Sequence, residues 1–423
     1  PLRRQRQMCI RDSFREAYSA FIAAGWTSLS GDPAYGGQGL PSSIMIAVNE
    51  MLAGANWAWS MYPGLSEGAI ATLEAHGSAE QKEEYLHKLI SGRWSGTMCL
   101  TESHCGTDLA QIKTRAEPVD DGSYLVTGTK IYISAGDHDL TENIVHIVLA
   151  KLPNSPKGTK GISLFLIPKF MPTANGTAGV RNNVNCGSIE KKMGIKGNAT
   201  CVMNYDGATG YLVGEENKGL RAMFTMMNNA RLGVGIEGLS QCELATQKAV
   251  EFAKTRKQGN AKIDNGKGFI LDHPDVRRMI IMMKSLTAAV RALCLDAALS
   301  LDLSKSNDKQ VATKENIRAS FLIPIAKAFS TDIGCRVADI GIQVHGGMGY
   351  VEETGIAQVL RDVRVTAIYE GTDGIQAIDL IGRKLSDKGM AANGLTNEIK
   401  STISECYDNK DQQLKEMCSI TIA

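Results

Sequence analysis

One acidic residue, in a short break between two helical segments, has the setting of a general base. The pentapeptide Ile368-Tyr369-Glu370-Gly371-Thr372 places a carboxylate between an aromatic ring and a glycine. Burial beside an apolar ring and an apolar ligand raises the pKa of a carboxyl group, as a base working near neutral pH requires. The alternative is an ordinary acid near a helix start, stabilised by the helix dipole. The pentapeptide alone leaves both interpretations open.

A second segment has the composition of a ligand-binding loop. In MCLTESHCGTDL (98–109), a predicted strand leads into a loop rich in hydroxyl groups, glycine and acid. Thr101, Gly106 and Thr107 offer hydroxyl and backbone N–H donors to an electron-rich ring or an anion. Strand-to-turn segments without any ligand often have the same composition, so the loop is a candidate site only in combination with others.

A third segment ends another predicted strand. In KIYISAG (130–136), Tyr132, Ile133 and Ser134 combine an aromatic ring, an aliphatic side chain and a hydroxyl. An apolar wall with few polar anchors is what a flat redox ring requires of its site.

Glycines and polar side chains near two helix ends are candidates for phosphate binding. QVHGGMGY (343–350) breaks a helical pattern with three glycines in four positions, which lets backbone amides approach a pyrophosphate closely. Arg256 and Gln258 follow another helix and could donate to phosphate oxygens. The glycines do not form GxGxxG after a strand, which disfavours a doubly wound dinucleotide fold. A plain turn between helices is the alternative interpretation.

Three zones of different periodicity position these segments. Residues 14–95 have helical spacing, 96–213 are short β-rich runs separated by turn residues, and 214–390 are again helical. The spacing of the runs predicts an antiparallel sheet rather than βαβ units. The polar stretch 173–185 is interpreted as a surface loop. A long helix before Gly346 has an apolar stripe formed by Ala326, Phe329, Ile333, Val337, Ile340 and Val344. The order predicts an α+β protein with helical domains flanking a β domain.

Composition excludes several classes of protein. The 423 residues are 43% hydrophobic and 22% charged, with a net charge of +1, as in ordinary globular proteins. This charge gives no support for binding nucleic acid or an anionic membrane. No apolar run has the length of a membrane span. Ten scattered cysteines favour a reducing compartment. His104 and Cys105 lack a second cluster, so no metal site is predicted.

Both ends of the chain have unusual sequences. The first thirteen residues, PLRRQRQMCIRDS, contain four arginines and no regular period. QMCIRD resembles translated sequencing-adapter read-through, so 1–13 is interpreted as a non-native segment. Residues 391–423 are interpreted as the start of a C-terminal extension.

Taken together, the quoted segments resemble the acyl-CoA dehydrogenase family over nearly all of 14–385. MCLTESHCGTDL is similar to its flavin loop, KIYISAG to its second flavin strand, QVHGGMGY to its dimer-crossing pyrophosphate turn, and IYEGT to its catalytic loop. GTMCLTE, IEKKMGIKG, HPDVRRM and IYEGTDGIQAIDLIGRKL carry a narrower resemblance to the 3-methylmercaptopropionyl-CoA dehydrogenase branch. Members of this branch are longer at both ends. The resemblance implies an N-terminal helical domain, a central antiparallel β domain and a C-terminal four-helix bundle.

The resemblance also implies roles for individual residues. Glu370 is the catalytic base, Gly371 lets the substrate approach, and Arg231 lies near the CoA moiety unless it is a purely structural arginine. The positions matching contacts to FAD in the same subunit are Leu100, Thr101, Gly106, Thr107, Tyr132, Ile133, Ser134, Thr372 and Gln376. The positions matching contacts to the FAD of a partner subunit are Arg256, Gln343, Gly346 and Gly347, and Gln258 is a further cofactor contact.

The implied reaction is α,β-dehydrogenation of an acyl-CoA thioester to the trans-2-enoyl-CoA, with 3-methylmercaptopropionyl-CoA to methylthioacryloyl-CoA as the narrower expectation. Glu370 takes the α-proton as hydride passes to flavin N5. Electron-transfer flavoprotein is the implied electron acceptor and a homodimer the implied assembly. An acyl-CoA oxidase, which would produce peroxide under air, is the nearest alternative. A non-catalytic flavin-binding or assembly protein of the same fold is another.

Overall fold

A computed structural model of the protein describes residues 2–259, 266–408, 412–413 and 416, with side chains from residue 13 onward except at 408. Within these residues the order of helices, strands and helices confirms the predicted α+β architecture. The N-terminal helices are α1 Leu2–Ala23, α2 Ser42–His76 and α3 Ala79–Ile90. The strands are β1 Trp94–Cys99, β2 Arg115–Pro118, β3 Tyr124–Ser134, β4 Asn143–Lys151, β5 Ile162–Pro168, β6 Phe170–Pro172, β7 Ala178–Arg181, β8 Val184–Ile189 and β9 Thr200–Val213. The later helices are α4 Gly219–Thr255, α5 Pro274–Leu303, α6 Lys309–His345, α7 Ile356–Val363, α8 Asp373–Asp379 and α9 Met390–Asp408.

The N-terminal end differs from the sequence-based expectation. α1 begins at Leu2, so the segment 1–13 is helical from Leu2 onward although its sequence has no regular apolar period. Once a helix has nucleated, each further residue adds one backbone hydrogen bond, and propagation does not require an apolar period. The hypothesis that this segment is non-native stays a prediction.

The central sheet closes on itself. β4, β2, β3, β9 and β5 pair in that order, and β5 pairs with β4 to complete the ring, while β1 and β8 add to β4 and β9. Strand interiors supply its core, including fully buried Val126, Val148 and Phe165. Closure removes the free edges of these five strands and produces a rigid unit.

Two features of the β domain correct the prediction. The sheet is mostly antiparallel, but β1 pairs with β4 in parallel, from Trp94↔Asn143 to Cys99↔Val148. The antiparallel pair β2–β3 lies between β1 and β4 in the sequence, and β4 runs in the same direction as β1. Residues 173–185 are also not simply a loop, because they contain β7 and the start of β8. These short, largely exposed strands lack the apolar alternation that would mark them.

The long helices share one core. α4, α5 and α6 bury Leu239, Val290 and Val337, and α2 of the N-terminal domain contributes Trp57 and Met61 to the same core. α2 is therefore the fourth long helix that packs on this core, beside α4, α5 and α6.

The predicted stripe on α6 is mostly buried. Ala326, Ile333, Val337 and Val344 are at most 5% exposed, but Phe329 is 39% exposed. α6 ends at His345, immediately before the glycines, as predicted.

Candidate active site

A cavity of about 970 Å³ lies between the β domain and the C-terminal helices. It is lined by residues from the loop after β1, the end of β3, α2, α4 and the segment around α7 and α8. Eleven of the residues predicted for the site line this cavity: Leu100, Thr101, Gly106, Thr107, Tyr132, Ile133, Ser134, Arg231, Glu370, Gly371 and Thr372. Residues up to 272 positions apart in the chain, from 100 to 372, therefore meet in one space.

The backbone of the segment before α8 aims Glu370 at the cavity. Glu370 has φ 54° and Gly371 has φ 85°, so two consecutive residues are left-handed. This conformation is uncommon for a residue with a side chain and is a form of local strain found at functional sites. The amide Nε2 of Gln376 lies 3.1 Å from the carbonyl oxygens of both residues and donates to them. With φ 85°, a residue with a side chain at position 371 would be strained, and its Cβ would lie 2.8 Å from that nitrogen and displace the Gln376 amide.

Gln376 therefore has a contact that the sequence did not suggest. Its side chain is 1% exposed, and it does not line the cavity. It supports the carbonyls of Glu370 and Gly371, while its own Oε1 is buried without a hydrogen-bond partner among the described residues. A contact of Gln376 with the flavin nucleotide stays a prediction. Thr372 caps α8, accepting a hydrogen bond from the backbone N–H of Ile375 at 3.3 Å.

The surroundings of Glu370 set its basicity. Burial in the body of the protein raises the pKa of the Glu370 carboxyl to about 7, and the positive charges of Arg231 and Lys327 oppose that rise. Desolvation disfavours the charged form of a carboxyl, and nearby cations favour it. A carboxyl with this pKa is half ionised near neutral pH, which suits a general base.

The two cations are themselves buried and paired. Arg231 of α4 is 2% exposed and lies 2.7 Å from Asp379. Lys327 of α6 is fully buried and lies 3.1 Å from Asp373. Asp373 and Asp379 are at opposite ends of α8, so both ion pairs attach the helix that follows Glu370 to the bundle. Arg231 also lines the cavity, and its role toward CoA stays a prediction.

The loop after β1 and the end of β3 are joined by buried contacts. The backbone N–H of Ile131 donates to the carbonyl of Thr101 at 2.9 Å. Beneath them, Lys130 is fully buried and donates to the carbonyl of Leu100 and to a carboxylate oxygen of Glu102, each at 2.9 Å. The β3–β9 register shifts between Lys130 and Ile133. A bulge of this kind redirects a side chain.

The bulge exposes an aromatic ring to the cavity. Tyr132 has φ 59° and is 62% exposed, although it lies in a strand whose neighbour Ile133 is 2% exposed. The ring and the neighbouring hydroxyl of Ser134 both line the cavity. This arrangement agrees with the predicted combination of an apolar face and a polar anchor.

The remaining predicted cofactor contacts lie outside the cavity. Arg256, Gln258, Gln343, Gly346 and Gly347 are exposed at the C-terminal ends of α4 and α6. The ring of Phe252 stacks on that of His345 with centroids 4.4 Å apart, which brings the two helix ends together. The structure therefore groups these five residues on a surface separate from Glu370. Their contact with the cofactor of a partner subunit stays a prediction.

One group of metal-capable side chains occurs among the described residues, formed by Glu102, His104 and Cys105. The Glu102 oxygens accept from Lys130, the Thr114 hydroxyl and the backbone N–H groups of Lys113 and Thr114. These donors already satisfy the carboxylate, and a buried ammonium beside it opposes a bound cation. This geometry does not favour a metal at Glu102.

Sequence reasoning did not identify several residues near Glu370. Lys327 and Glu237 are single charged residues in apolar helical runs, FLIPIAKAF and GVGIEGL. Such residues are rarely buried without a partner, and this was the available signal. The apolar wall of the cavity, formed by Met61, Leu65, Met98, Leu220, Phe224 and Met227, was not identified either. Its members come from three different elements, and no local pattern joins them.

The domains and this cavity define a class of protein. Models of the N-terminal, middle and C-terminal domains of acyl-CoA dehydrogenases match residues 3–93, 97–208 and 217–385, respectively. The chain belongs to the acyl-CoA dehydrogenase family, whose members are oxidoreductases that carry a flavin.

Individual relatives narrow the comparison. The chain is 45% identical to a 3-methylmercaptopropionyl-CoA dehydrogenase of Ruegeria pomeroyi, over 94% of this chain and 68% of that protein. It is 36% identical to a butyryl-CoA dehydrogenase of Syntrophomonas wolfei, over 89% of this chain and 64% of that protein. The solved structure of butyryl-CoA dehydrogenase from Megasphaera elsdenii is similar with a TM-score of 0.75 and 28% identity, covering 88% of this chain and 90% of that one.

The chain spans about two thirds of the length of these two curated relatives, 68% of one and 64% of the other. Among the described residues, no helix is both long enough and apolar enough to cross a membrane.

Proposed function

We propose that the protein catalyses FAD-dependent α,β-dehydrogenation of an acyl-CoA thioester, with Glu370 as the base that removes the α-proton. The observation that carries the proposal is the position of Glu370 on the cavity wall, where burial raises the pKa of its carboxyl to about 7. The family membership supports the same reaction type.

The residues around the cavity fit the proposed cofactor. Tyr132, Thr101 and Ser134 present a ring and two hydroxyls to one space, and its volume of about 970 Å³ is large for a single small ligand. We propose that these residues hold FAD with Leu100, Gly106, Thr107 and Ile133. When bound, FAD supplies a two-electron acceptor.

The chain's own groups have distinct tasks in the proposed reaction. The Glu370 carboxylate receives the α-proton, and the backbone N–H of Glu370 donates to the thioester carbonyl to stabilise developing enolate charge. Arg231 and Lys327 favour the ionised form of Glu370 before the proton arrives. The apolar wall around Met61 and Phe224 excludes water from the acyl chain.

The finer assignment concerns substrate and partners. The 45% identity to a 3-methylmercaptopropionyl-CoA dehydrogenase supports that acyl group. The polarizable side chains of Met61, Met98 and Met227 on the cavity wall suit a thioether. Electron-transfer flavoprotein is the proposed electron acceptor, and a homodimer is the proposed assembly. The bacterial cytoplasm is the proposed location.

The test compares substrates and acceptors with the purified protein. We expect 3-methylmercaptopropionyl-CoA to bleach the flavin anaerobically with a higher kcat/KM than butyryl-, octanoyl- or palmitoyl-CoA. Turnover should require electron-transfer flavoprotein and release little peroxide under air. Rapid peroxide formation would identify an oxidase, and an absent flavin spectrum would support a non-catalytic protein. A preference for palmitoyl-CoA would contradict the proposed acyl group but not the proposed reaction.

The rate should depend on pH through Glu370. Because the ionised carboxylate is the active form, kcat/KM should rise as pH increases through about 7. Replacing Arg231 with glutamine removes a positive charge that lowers the pKa of Glu370. In Arg231→Gln, the pH at which kcat/KM rises should therefore be higher by about one unit.

The control for this comparison is Arg278→Gln, since Arg278 is an exposed arginine on α5. Its profile should coincide with that of the wild type. A wild-type profile with its rise near pH 4.5, the ordinary pKa of a glutamate, would contradict the proposed environment of Glu370.

A further inference from the structure

A second carboxyl lies behind the catalytic loop. Glu237 is on α4, between Ile236 at 2% exposure and the buried Gly238. The hydroxyl of Tyr369 donates a short hydrogen bond to Glu237 Oε2. Tyr369 directly precedes Glu370 in sequence. The hydrogen bond therefore joins the residue next to the proposed base to α4, at a position 132 residues earlier in the chain.

The hydrogen bond has a clear energetic reason. A phenol or carboxyl that is partly buried without a partner is costly, and each group here satisfies the other. The tie to α4 also restrains the backbone where Glu370 and Gly371 adopt left-handed conformations with φ 54° and φ 85°. Gln376 holds the two carbonyls that follow, at 3.1 Å each. The loop is therefore fixed on both sides of Glu370.

The charged and titratable groups around Glu237 come from several elements. Arg231 is on the same helix, Lys327 is on α6, and Tyr369 and Glu370 are on the loop. At the two ends of α8, Asp373 and Asp379 already pair with Lys327 and Arg231, respectively. Glu237 has no comparable ion pair among the described residues, and its partner is the neutral phenol. The two cations are thus occupied by other carboxylates.

The two glutamates also interact. Burial raises the pKa of Glu237 to about 7, and the negative charge of Glu370 adds to this rise. The hydrogen bond from Tyr369, the Trp57 side chain and the positive charge of Lys327 oppose it. When Glu370 is ionised, ionisation of Glu237 is therefore disfavoured.

We propose that Glu237 is a positioning residue for Glu370, acting through the hydrogen bond that it accepts from Tyr369. The inference rests on the proposed function of Glu370. Tyr369 keeps the Glu370 segment at a fixed distance from α4.

The test uses the holoenzyme with Glu237→Gln and Tyr369→Phe. Glutamine keeps an oxygen that accepts from Tyr369 but cannot ionise. We expect both variants to retain FAD. In Tyr369→Phe, which loses this hydrogen bond, we expect kcat to fall by about 10- to 100-fold, with KM changed by less than about twofold, because misplacement of a catalytic group affects the chemical step. Glu237→Gln keeps the acceptor for Tyr369, so its kcat should stay near that of the wild type. Glu237→Leu, which removes the acceptor, should behave like Tyr369→Phe.

A second readout does not require turnover. The pKa of Glu237 in the folded protein is about 7, above its ordinary 4.5, so the folded state binds this proton more tightly than the unfolded state. That contribution to stability is present below pH 4.5 and is lost as pH rises to about 7. Glutamine has no such loss. The melting temperature of Glu237→Gln relative to wild type should therefore increase across this window. Glu251→Gln, an exposed change on the same helix, should show no such trend.

The outcomes separate this inference from the proposed function. If Tyr369→Phe has the wild-type kcat, the action through Tyr369 is wrong. If Glu237→Gln loses as much kcat as Glu237→Leu, the hydrogen bond does not explain the effect and the inference is wrong. If Glu237→Leu does not fold, Tyr369→Phe is judged by the same kcat and KM criteria. Full turnover by Glu370→Gln would instead defeat the proposed function, and the melting comparison would still report on the environment of Glu237.

Discussion

Glu370→Gln should lower the rate of flavin reduction by acyl-CoA by about 10²- to 10⁴-fold while leaving FAD bound. The amide has nearly the same shape as the carboxyl and keeps the left-handed turn that Gln376 supports. It cannot accept the α-proton, so only the proton-transfer step loses its catalyst. Stopped-flow absorbance under anaerobic conditions measures the effect, and the flavin-to-protein ratio measures cofactor retention.

Glu353→Gln is the matched control, because Glu353 is an exposed glutamate outside the cavity. It should reduce the flavin at the wild-type rate. Rapid bleaching by Glu370→Gln would show that another residue is the base. Loss of flavin from the same variant would show that Glu370 is needed for the structure of the site, and the rate could then not be assigned to proton transfer.

Glu102→Gln should destabilise the protein by about 3 to 5 kcal/mol, the cost typical of removing one partner from a buried ion pair. Lys130 is fully buried beside Glu102 at 2.9 Å, and the substitution leaves its ammonium without a compensating charge. Lys130 also donates to the carbonyl of Leu100, so the loop that lines the cavity should loosen and retain less FAD. Denaturant unfolding monitored by circular dichroism, together with flavin release, measures both effects.

An exposed ion pair provides the comparison. Arg93 and Glu142 lie 2.9 Å apart and are about half exposed, so Glu142→Gln should cost less than about 1 kcal/mol. The double change Glu102→Gln with Lys130→Met should recover part of the lost stability, because it removes the unpaired charge. Equal unfolding midpoints for Glu102→Gln and Glu142→Gln would contradict the assigned role of the buried pair.

Local patterns predicted the architecture where each element has its own period. The spacing of apolar residues on α6 and the glycines after His345 correctly predicted a long helix and its end. The β-rich runs correctly predicted β3, β4, β5 and β9. They did not reveal closure of the sheet or the parallel pairing of β1 with β4. Strand pairing depends on contacts between segments that are far apart in the sequence, which no local pattern records.

The same distinction applies to the site. Glu370, Thr101 and Tyr132 could be predicted because each lies in a short segment of distinctive composition. Glu237 and Lys327 could not, because they reach the catalytic loop only after α4 and α6 have packed together. Gln376 was predicted to contact the cofactor, and its observed contacts with the carbonyls of Glu370 and Gly371 depend on the turn that follows.

The sequence by itself determined the order of the domains, the candidate base and the segments that line its cavity, since composition and period are local properties of the chain. Only the tertiary structure decided the basicity of Glu370. That basicity depends on burial and on the charges of Arg231 and Lys327, which come from other helices. Electrostatic interactions act through space and depend on distance and desolvation, so no spacing along the chain specifies them.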